Sequence, residues 1–441
     1  MKILVVGGGG REHAIVWRLS QDQENHEIYS APGNAGMAEL SKIVNLKADD
    51  IEGITAWALA EKPDLVVVGP EAPLVKGLSD ELQKNGFDVF GPVADGARIE
   101  GSKSFAKEIM KAAGVPTGKA EVFDDPEKAK AQLPEYGLPV VIKADGLAAG
   151  KGVIVAETLE EATNAIDDML SGNKFGSAGA TVLIEEFLHG EECSILAVVD
   201  GERAFLLPSS QDHKRVFDGD KGPNTGGMGA YSPAPIVTDD MLPEIKQKVI
   251  LPVVRELSAR GIVYRGILYA GLMINENPDG LSPNSKVKNH LAASGDKINV
   301  VEFNARFGDP ETEAVLPRLK GSFAKLLLNA ARGCLNGDEI EVSTDSAATV
   351  IIASAGYPGD YQKGKKVRGL EQKVDNTVVF HCGTKEVDGD ILTSGGRVFS
   401  VTGCGSTLRE AVDRAYERVG QVSFEGAFSR TDIARRAFER G

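Results

Sequence analysis

Short apolar runs alternate with longer mixed stretches through the N-terminal part of the chain. Lys2–Val6, Glu27–Ser30, Asp64–Gly69 and Asp88–Gly91 read as strands, and Arg11–Leu19, Ile51–Ala60 and Lys76–Lys84 as the helices between them. Strands that are apolar throughout must be covered on both faces, so the pattern predicts parallel βαβ units in an open sheet. Turn residues follow these strands at Gly7–Gly10, Pro32-Gly33-Asn34, Gly69-Pro70-Glu71 and Gly91-Pro92. In an open parallel sheet the ligand crevice lies at those carboxyl ends.

Beyond this sheet a helix is expected from Ser102 to about Ala113, then a turn cluster at Gly114–Gly118 and a hinge at Glu121–Pro126. Strand Val140–Lys143, the glycine-rich Gly146–Gly152, strand Val153–Val155, helix Leu159–Leu170 and strand Val182–Glu186 form a small αβ unit of their own. Ser194–Val199, Ala204–Pro208 and Gly266–Asn275 read as strands of a further sheet, with polar Asn275–Asp296 as a long, exposed and mobile hairpin loop. A new αβ segment begins after about Ser343 and carries a helix at Leu408–Val419. The fold class is therefore α/β combined with α+β. The expected domains are an N-terminal Rossmann-like domain (1–101), a central domain (102–120 and 190–330), a lid (121–189) and a C-terminal αβ domain (331–441).

Composition narrows the partners. The 441 residues hold 49 Lys plus Arg against 64 Asp plus Glu, a net charge of −15. Such a surface repels nucleic-acid backbones and anionic lipid while leaving room for a local basic pocket. Cys193, Cys334, Cys382 and Cys404 lie far apart, which speaks against a zinc ribbon or a disulfide framework. The apolar start is too short for a secretory leader and no apolar run is long enough to span a bilayer. A cytoplasmic protein of small-molecule chemistry is expected.

Four stretches point to phosphate chemistry. Gly7–Gly10 fails the dinucleotide fingerprint, because Glu12 or His13 falls where its third glycine belongs. An anion-binding turn using Gly9 is favoured there over a plain tight turn, with NAD last. Gly96–Ser104 misses the P-loop register by one residue, yet leaves Lys103 at a helix start, where a cation opposes the helix dipole unless an anion sits beside it. Lys143 ends a buried-looking strand and, with Gly150, Lys151 and Gly152, flanks a flexible loop suited to wrapping a polyphosphate. In Val300–Phe307, residues Glu302, Asn304 and Arg306 share one strand face, where they make no sense as core. Glu and Asn supply the hard oxygens that Mg²⁺ prefers, and Arg suits a transferring phosphoryl group or a carboxylate.

Lys103, Lys143, AAGKG, IEEFLHGEE and EFNARFGDPE, in that order, resemble the ATP-grasp superfamily. GGGGREHA, APGNAG, GPEAPL, KADGLAAGKGV, QDHKR, NTGGMGAYSP, EFNARFGDPETEA and ASAGYPGDYQKG narrow the resemblance to the phosphoribosylamine–glycine ligase family. The resemblance implies an ATP-grasp fold using ATP with Mg²⁺ (or Mn²⁺). It implies ligation of glycine to 5-phosphoribosylamine through glycyl phosphate, in purine biosynthesis, by a monomer or weak dimer. It further implies that Lys103, Lys143, Gly150, Lys151 and Gly152 serve the ATP phosphates, Glu185, Glu186, Phe187 and Leu188 the adenine, and Glu192 the ribose. Glu302 and Asn304 become the metal ligands, and Arg306, Asp212 and Lys214 the catalytic set. Gly9, Asn34, Glu71, Thr225, Gly226, Gly227, Asp309 and Glu311 join Asp212, Lys214 and Arg306 around the substrates. Two departures stand out: Gly266–Asn275 carries no carboxylate where many ATP-grasp enzymes place a further metal ligand, and the polar hairpin is unusually long. A nucleotide-binding regulator without catalysis and a nicotinamide oxidoreductase are the rival classes, disfavoured by the metal-and-arginine strand and by the failed fingerprint respectively.

Overall fold

The computed structural model describes residues 1–146, 152–170, 181–276 and 296–440. Its N-terminal sheet is parallel, with Lys2–Gly7 between Glu27–Pro32 and Leu65–Val68, and Lys42–Ile43 and Val89–Phe90 at the edges. The expected open sheet is therefore present. Ile3, Val5, Leu65 and Val67 enter one apolar core, while Leu4, Val6, Val66 and Val68 enter another, which is why these strands are apolar at every position.

The central sheet is antiparallel, in the order Ala204–Leu206, Glu191–Asp200, Arg265–Ile274, Ile298–Asn304. It divides the same two cores by strict alternation: Ile195, Ala197 and Val199 face one, Leu196 and Val198 the other. Helix Phe323–Arg332 closes the second core, and its N-terminus is capped from the N-terminal domain. Asp22 accepts Phe323 N–H at 2.9 Å and Ala324 N–H at 2.8 Å while pairing with Arg18 at 2.8 Å. A third, separate core lies under the lid sheet, whose order is Ala120–Phe123, Val182–Glu186, Val140–Ala144, Val153–Ala156.

Several elements differ from expectation. The hinge expected at Glu121–Pro126 is instead the lid's edge strand Ala120–Phe123, followed by Asp125, which caps helix Pro126–Gln132. As an edge strand half open to solvent it has no apolar alternation to betray it. The helix expected over Lys76–Lys84 is two, Glu71–Val75 and Leu78–Lys84, broken at Gly77 with φ +87°. The P-loop-like segment is helical, Ala94–Gly101 running into Lys103–Ala112 across an extended Ser102 that caps the second helix. Gln211–Asp212 and Gly229–Ser232 pair into the C-terminal sheet, alongside Ser346–Ser354, Arg397–Gly405 and Thr377–His381. The Asn275–Asp296 loop lies outside the described residues but for its ends, as do Gly150 and Lys151. All four cysteines are free, and no helix among the described residues is long and apolar enough to cross a membrane.

The C-terminal sheet docks onto the N-terminal glycine turn through two histidines. His13 Nδ1 accepts His381 N–H at 2.8 Å, and the His381 carbonyl accepts Asn34 Nδ2 at 2.7 Å. Burial, then the neighbouring His381 ring, pushes His13 down to about 3, and burial pushes His381 down to about 4. Both are neutral when folded and take up protons when unfolded below about pH 6.5. Their contribution is thus present at neutral pH and is lost as the solution is acidified toward the folded values. We expect urea unfolding to show stability falling below about pH 6, and His13→Gln, which keeps an acceptor, to flatten that fall by up to about 1.4 kcal/mol per pH unit.

Candidate active site

A cavity of about 1040 Å³ is lined by strands of the lid, central and C-terminal sheets and by helices of the N-terminal part. Part of its wall is apolar, from Met110, Val141, Val155, Leu183, Phe187, Leu188 and Met273. The remainder is charged, and nearly every charge is paired.

Lys103 and Lys107 lie one turn apart on helix Lys103–Ala112 and so point the same way. Lys107 bonds Thr117 Oγ1 at 2.7 Å and pairs with one oxygen of Glu185; Lys143 pairs with the other. Burial alone would raise the Glu185 carboxyl, but Lys143 and Lys107 hold it below the usual range. Lys143 also donates to the Val301 carbonyl at 3.3 Å. Val301 is the extra residue of a β-bulge, set between the Gly271–Glu302 and Leu272–Val300 pairs, so its carbonyl is released from the ladder. Lys103 donates to the Gly146 carbonyl at 2.8 Å, and Asp145 accepts Ser104 N–H at 3.2 Å. That carboxylate supplies the negative charge a helix start prefers, so Lys103 is free to serve the cavity.

On the bulged strand Glu302 and Asn304 face the cavity as their alternation predicts. The strand ends at Asn304, so Arg306 lies beyond it, aimed by Glu100 at 3.0 Å and Glu71 at 3.6 Å rather than by the ladder. Glu100 also accepts Ala305 N–H at 2.7 Å. Lys214 bridges Glu192 and Glu302, 3.8 Å from the latter. Burial opposes ionisation of Glu302, yet Lys214, Lys143 and Lys103 together hold it below the usual carboxylate range. Burial pushes Asp212 up to about 8 in spite of Lys214 beside it. Glu311 accepts from Tyr269 at 2.7 Å and Ser194 at 3.2 Å.

The expected residues largely meet here. Lys103, Lys143, Gly152, Glu185 to Leu188, Glu192, Asp212, Lys214, Thr225, Gly226, Glu302, Asn304, Arg306, Asp309, Glu311 and Glu71 all line the cavity. Three do not. Gly9 N–H is bonded by Glu12 at 2.7 Å, Asn34 ties Gly8 to His381, and Gly227 packs on Pro310. Glu12 thus supplies within the chain the anion the glycine turn suggested. Sequence reasoning missed Lys107, Glu100, Tyr269 and Arg397; only Lys107 carries a signal, its four-residue spacing from Lys103.

Glu302 and Asn304 offer a carboxylate and an amide oxygen on one face, a hard donor set suited to Mg²⁺. The partner-strand residue opposite Glu302 is Gly271, where a Cβ would stand 3.9 Å from Glu192 Oε1. The missing side chain leaves room at that edge, and Glu192 reaches it from the next strand.

Three family models match the chain: the phosphoribosylglycinamide synthetase N domain at 1–100, its ATP-grasp (A) domain at 101–312 and its C domain at 347–436. The chain is 48% identical to the phosphoribosylamine–glycine ligase of Halalkalibacterium halodurans, over 99% of this chain and 97% of that one. It is 47% identical to the enzyme of the same name from Escherichia coli O157:H7, over 100% and 99%. The crystal structure of the Thermotoga maritima phosphoribosylamine–glycine ligase superposes with a TM-score of 0.83 at 33% identity, covering 98% of this chain and 100% of that one. The biotin carboxylase domain of Hydrogenobacter thermophilus 2-oxoglutarate carboxylase, solved with MgADP, ADP and bicarbonate, shares the fold at 18% identity and a TM-score of 0.70, covering 97% and 91%.

Glu185 compensates two buried ammonium groups at once, and removing the charge leaves both without a counter-ion. Glu185→Gln is expected to lower the unfolding free energy of the ligand-free protein by about 3–5 kcal/mol, read by urea denaturation.

Proposed function

The chain belongs to the phosphoribosylglycinamide synthetase family, and we propose how its residues divide that family's reaction among them. The protein is an ATP-dependent ligase of purine biosynthesis, joining glycine to 5-phosphoribosylamine to give glycinamide ribonucleotide, ADP and phosphate. A carboxylate oxygen of glycine attacks the γ-phosphorus and the bond to ADP breaks, leaving glycyl phosphate. The amine nitrogen then attacks the acyl carbon, and the carbon–oxygen bond to phosphate breaks. Such transfers need positioning and charge neutralisation more than covalent help from the protein.

The adenine enters the apolar wall beside Phe187 and Leu188, and Glu192 takes the ribose hydroxyls. Lys103 and Lys143 hold the phosphates, with Lys107 acting through the shared Glu185. Mg²⁺ (or Mn²⁺), when bound, would supply charge that neutralises the phosphates, and Glu302 and Asn304 would hold it. Lys214, 3.8 Å from Glu302, and Arg306 face the glycine carboxylate and the transferring group. Asp212, beside Lys214 in the cavity, takes in its ionised form the proton that the attacking amine sheds; burial raises this carboxyl to about 8, so the ionised form gains as pH rises toward that value. Glu71, Thr225, Gly226, Asp309 and Glu311 surround the amine substrate, with Gly9, Asn34 and Gly227 shaping the turns behind them.

The observation that carries this reading is the convergence of Lys103, Lys143 and Lys214 on Glu302 at one cavity that also has an apolar wall. The cations that can meet a polyphosphate and the carboxylate that can hold its metal therefore lie at one place. Glu302→Ala is expected to cut turnover roughly a thousandfold while the folded protein persists, because the transferring phosphate loses its neutralising partner. Steady-state ADP release measures it, and unchanged turnover would remove Glu302 from the site.

A further inference from the structure

The two segments around the amine substrate, Thr225–Gly227 and Asp309–Glu311, are joined by a residue from another part of the chain. Arg397 opens strand Arg397–Gly405 of the C-terminal sheet. Its Nη1 lies 3.0 Å from Asp309 Oδ1 and 3.2 Å from the Asp309 carbonyl, and it donates to the Gly226 carbonyl at 2.6 Å. The Gly227 carbonyl lies 3.4 Å from the same nitrogen. Tyr357, also from the C-terminal part, accepts Gly226 N–H on its hydroxyl at 3.0 Å. One guanidinium and one phenol therefore hold both sides of a junction that is irregular up to Glu311, where helix Glu311–Val315 begins.

The two glycines leave little room for side chains. A Cβ on Gly226 would stand 3.1 Å from the Arg397 guanidinium carbon, and one on Gly227, at φ +106°, would stand 2.4 Å from Pro310 Cδ. The connection continues inward. Gly227 N–H donates to Thr225 Oγ1 at 2.9 Å, and Thr225 donates from Oγ1 to the Lys214 carbonyl at 2.9 Å and from its N–H to the same carbonyl at 2.8 Å. Arg397 is thus linked through two glycines and one threonine to the backbone of Lys214, and through Asp309 to the turn that presents Glu311. The planar fork of arginine suits this task, since it binds several oxygens in fixed relative positions where a lysine offers a point charge.

We propose that Arg397 is a positioning residue for the ligase reaction: it fixes the loops that receive glycine and phosphoribosylamine, and leaves the nucleotide part of the cavity untouched. The proposal rests on the functional reading above. None of the described residues assigned to the ATP phosphates or adenine is bonded to Arg397, whose partners are Asp309, Gly226 and Gly227, so its loss separates the substrates. A misplacement of about 1 Å at a reacting group costs on the order of a hundredfold in rate.

The test is steady-state kinetics of the full chain with ATP, glycine and phosphoribosylamine varied in turn. Arg397→Ala is expected to raise KM for glycine and phosphoribosylamine at least about tenfold while KM for ATP stays within about twofold. Methylguanidine added to this variant is expected to restore part of the loss, and Arg397→Lys to fall between the two. Gly226→Ala approaches the same guanidinium from the opposite side and is expected to reproduce the pattern, so the proposal remains testable if Arg397→Ala fails to fold. Equal increases for all three substrates, or no change in any, would overturn it. Absence of ligase turnover in the unmodified chain would instead strike the functional reading itself.

Discussion

Buried ammonium groups are tolerable in this cavity only because carboxylates stand against them, and that compensation organises the molecule around it. An unpaired lysine removed from water costs several kcal/mol, and the cavity gathers Lys103, Lys107, Lys143 and Lys214. Glu185 answers two of them from the lid strand Val182–Glu186, while Glu192 and Glu302 answer Lys214 from two strands of the central sheet. The apolar cluster beneath the lid is separate from those of the central sheet, and polar contacts span the gap: Glu185 pairs with Lys107 on helix Lys103–Ala112, and Lys143 donates to the Val301 carbonyl.

The N-terminal and central sheets share two cores, split residue by residue along Lys2–Gly7 and Glu191–Asp200. Arg306 is aimed by Glu100 and Glu71, both from the N-terminal part, so its position in the cavity is referenced to the region that shares both cores.

Much of this was legible in the chain. The alternation at Glu302 and Asn304 and the lysine ending Val140–Ala144 announce charge on faces that packing cannot use, and the continuous apolar runs announce a covered parallel sheet. What escaped has physical reasons. The bulge at Val301, which lets Lys143 reach a free carbonyl, arises from register with Arg265–Ile274 and leaves no local trace. Ala120–Phe123 is too exposed to alternate, and Gln211–Asp212 is too short to show which sheet it joins. Glu100 and Arg397 look like ordinary charged residues until the fold brings them to Arg306 and Asp309. Glu12 fills the glycine turn with the chain's own carboxylate, which the glycine pattern by itself could not reveal.

The most direct test of the account is the fate of the glycine carboxylate oxygens. With glycine labelled with oxygen-18 in its carboxyl group, ATP, Mg²⁺ and phosphoribosylamine, the account predicts that each turnover carries one labelled oxygen into the released phosphate, because that oxygen bonds to phosphorus before the acyl carbon is attacked. Phosphate released without label, alongside glycinamide ribonucleotide, would contradict it and show that ATP is cleaved without passing through glycyl phosphate.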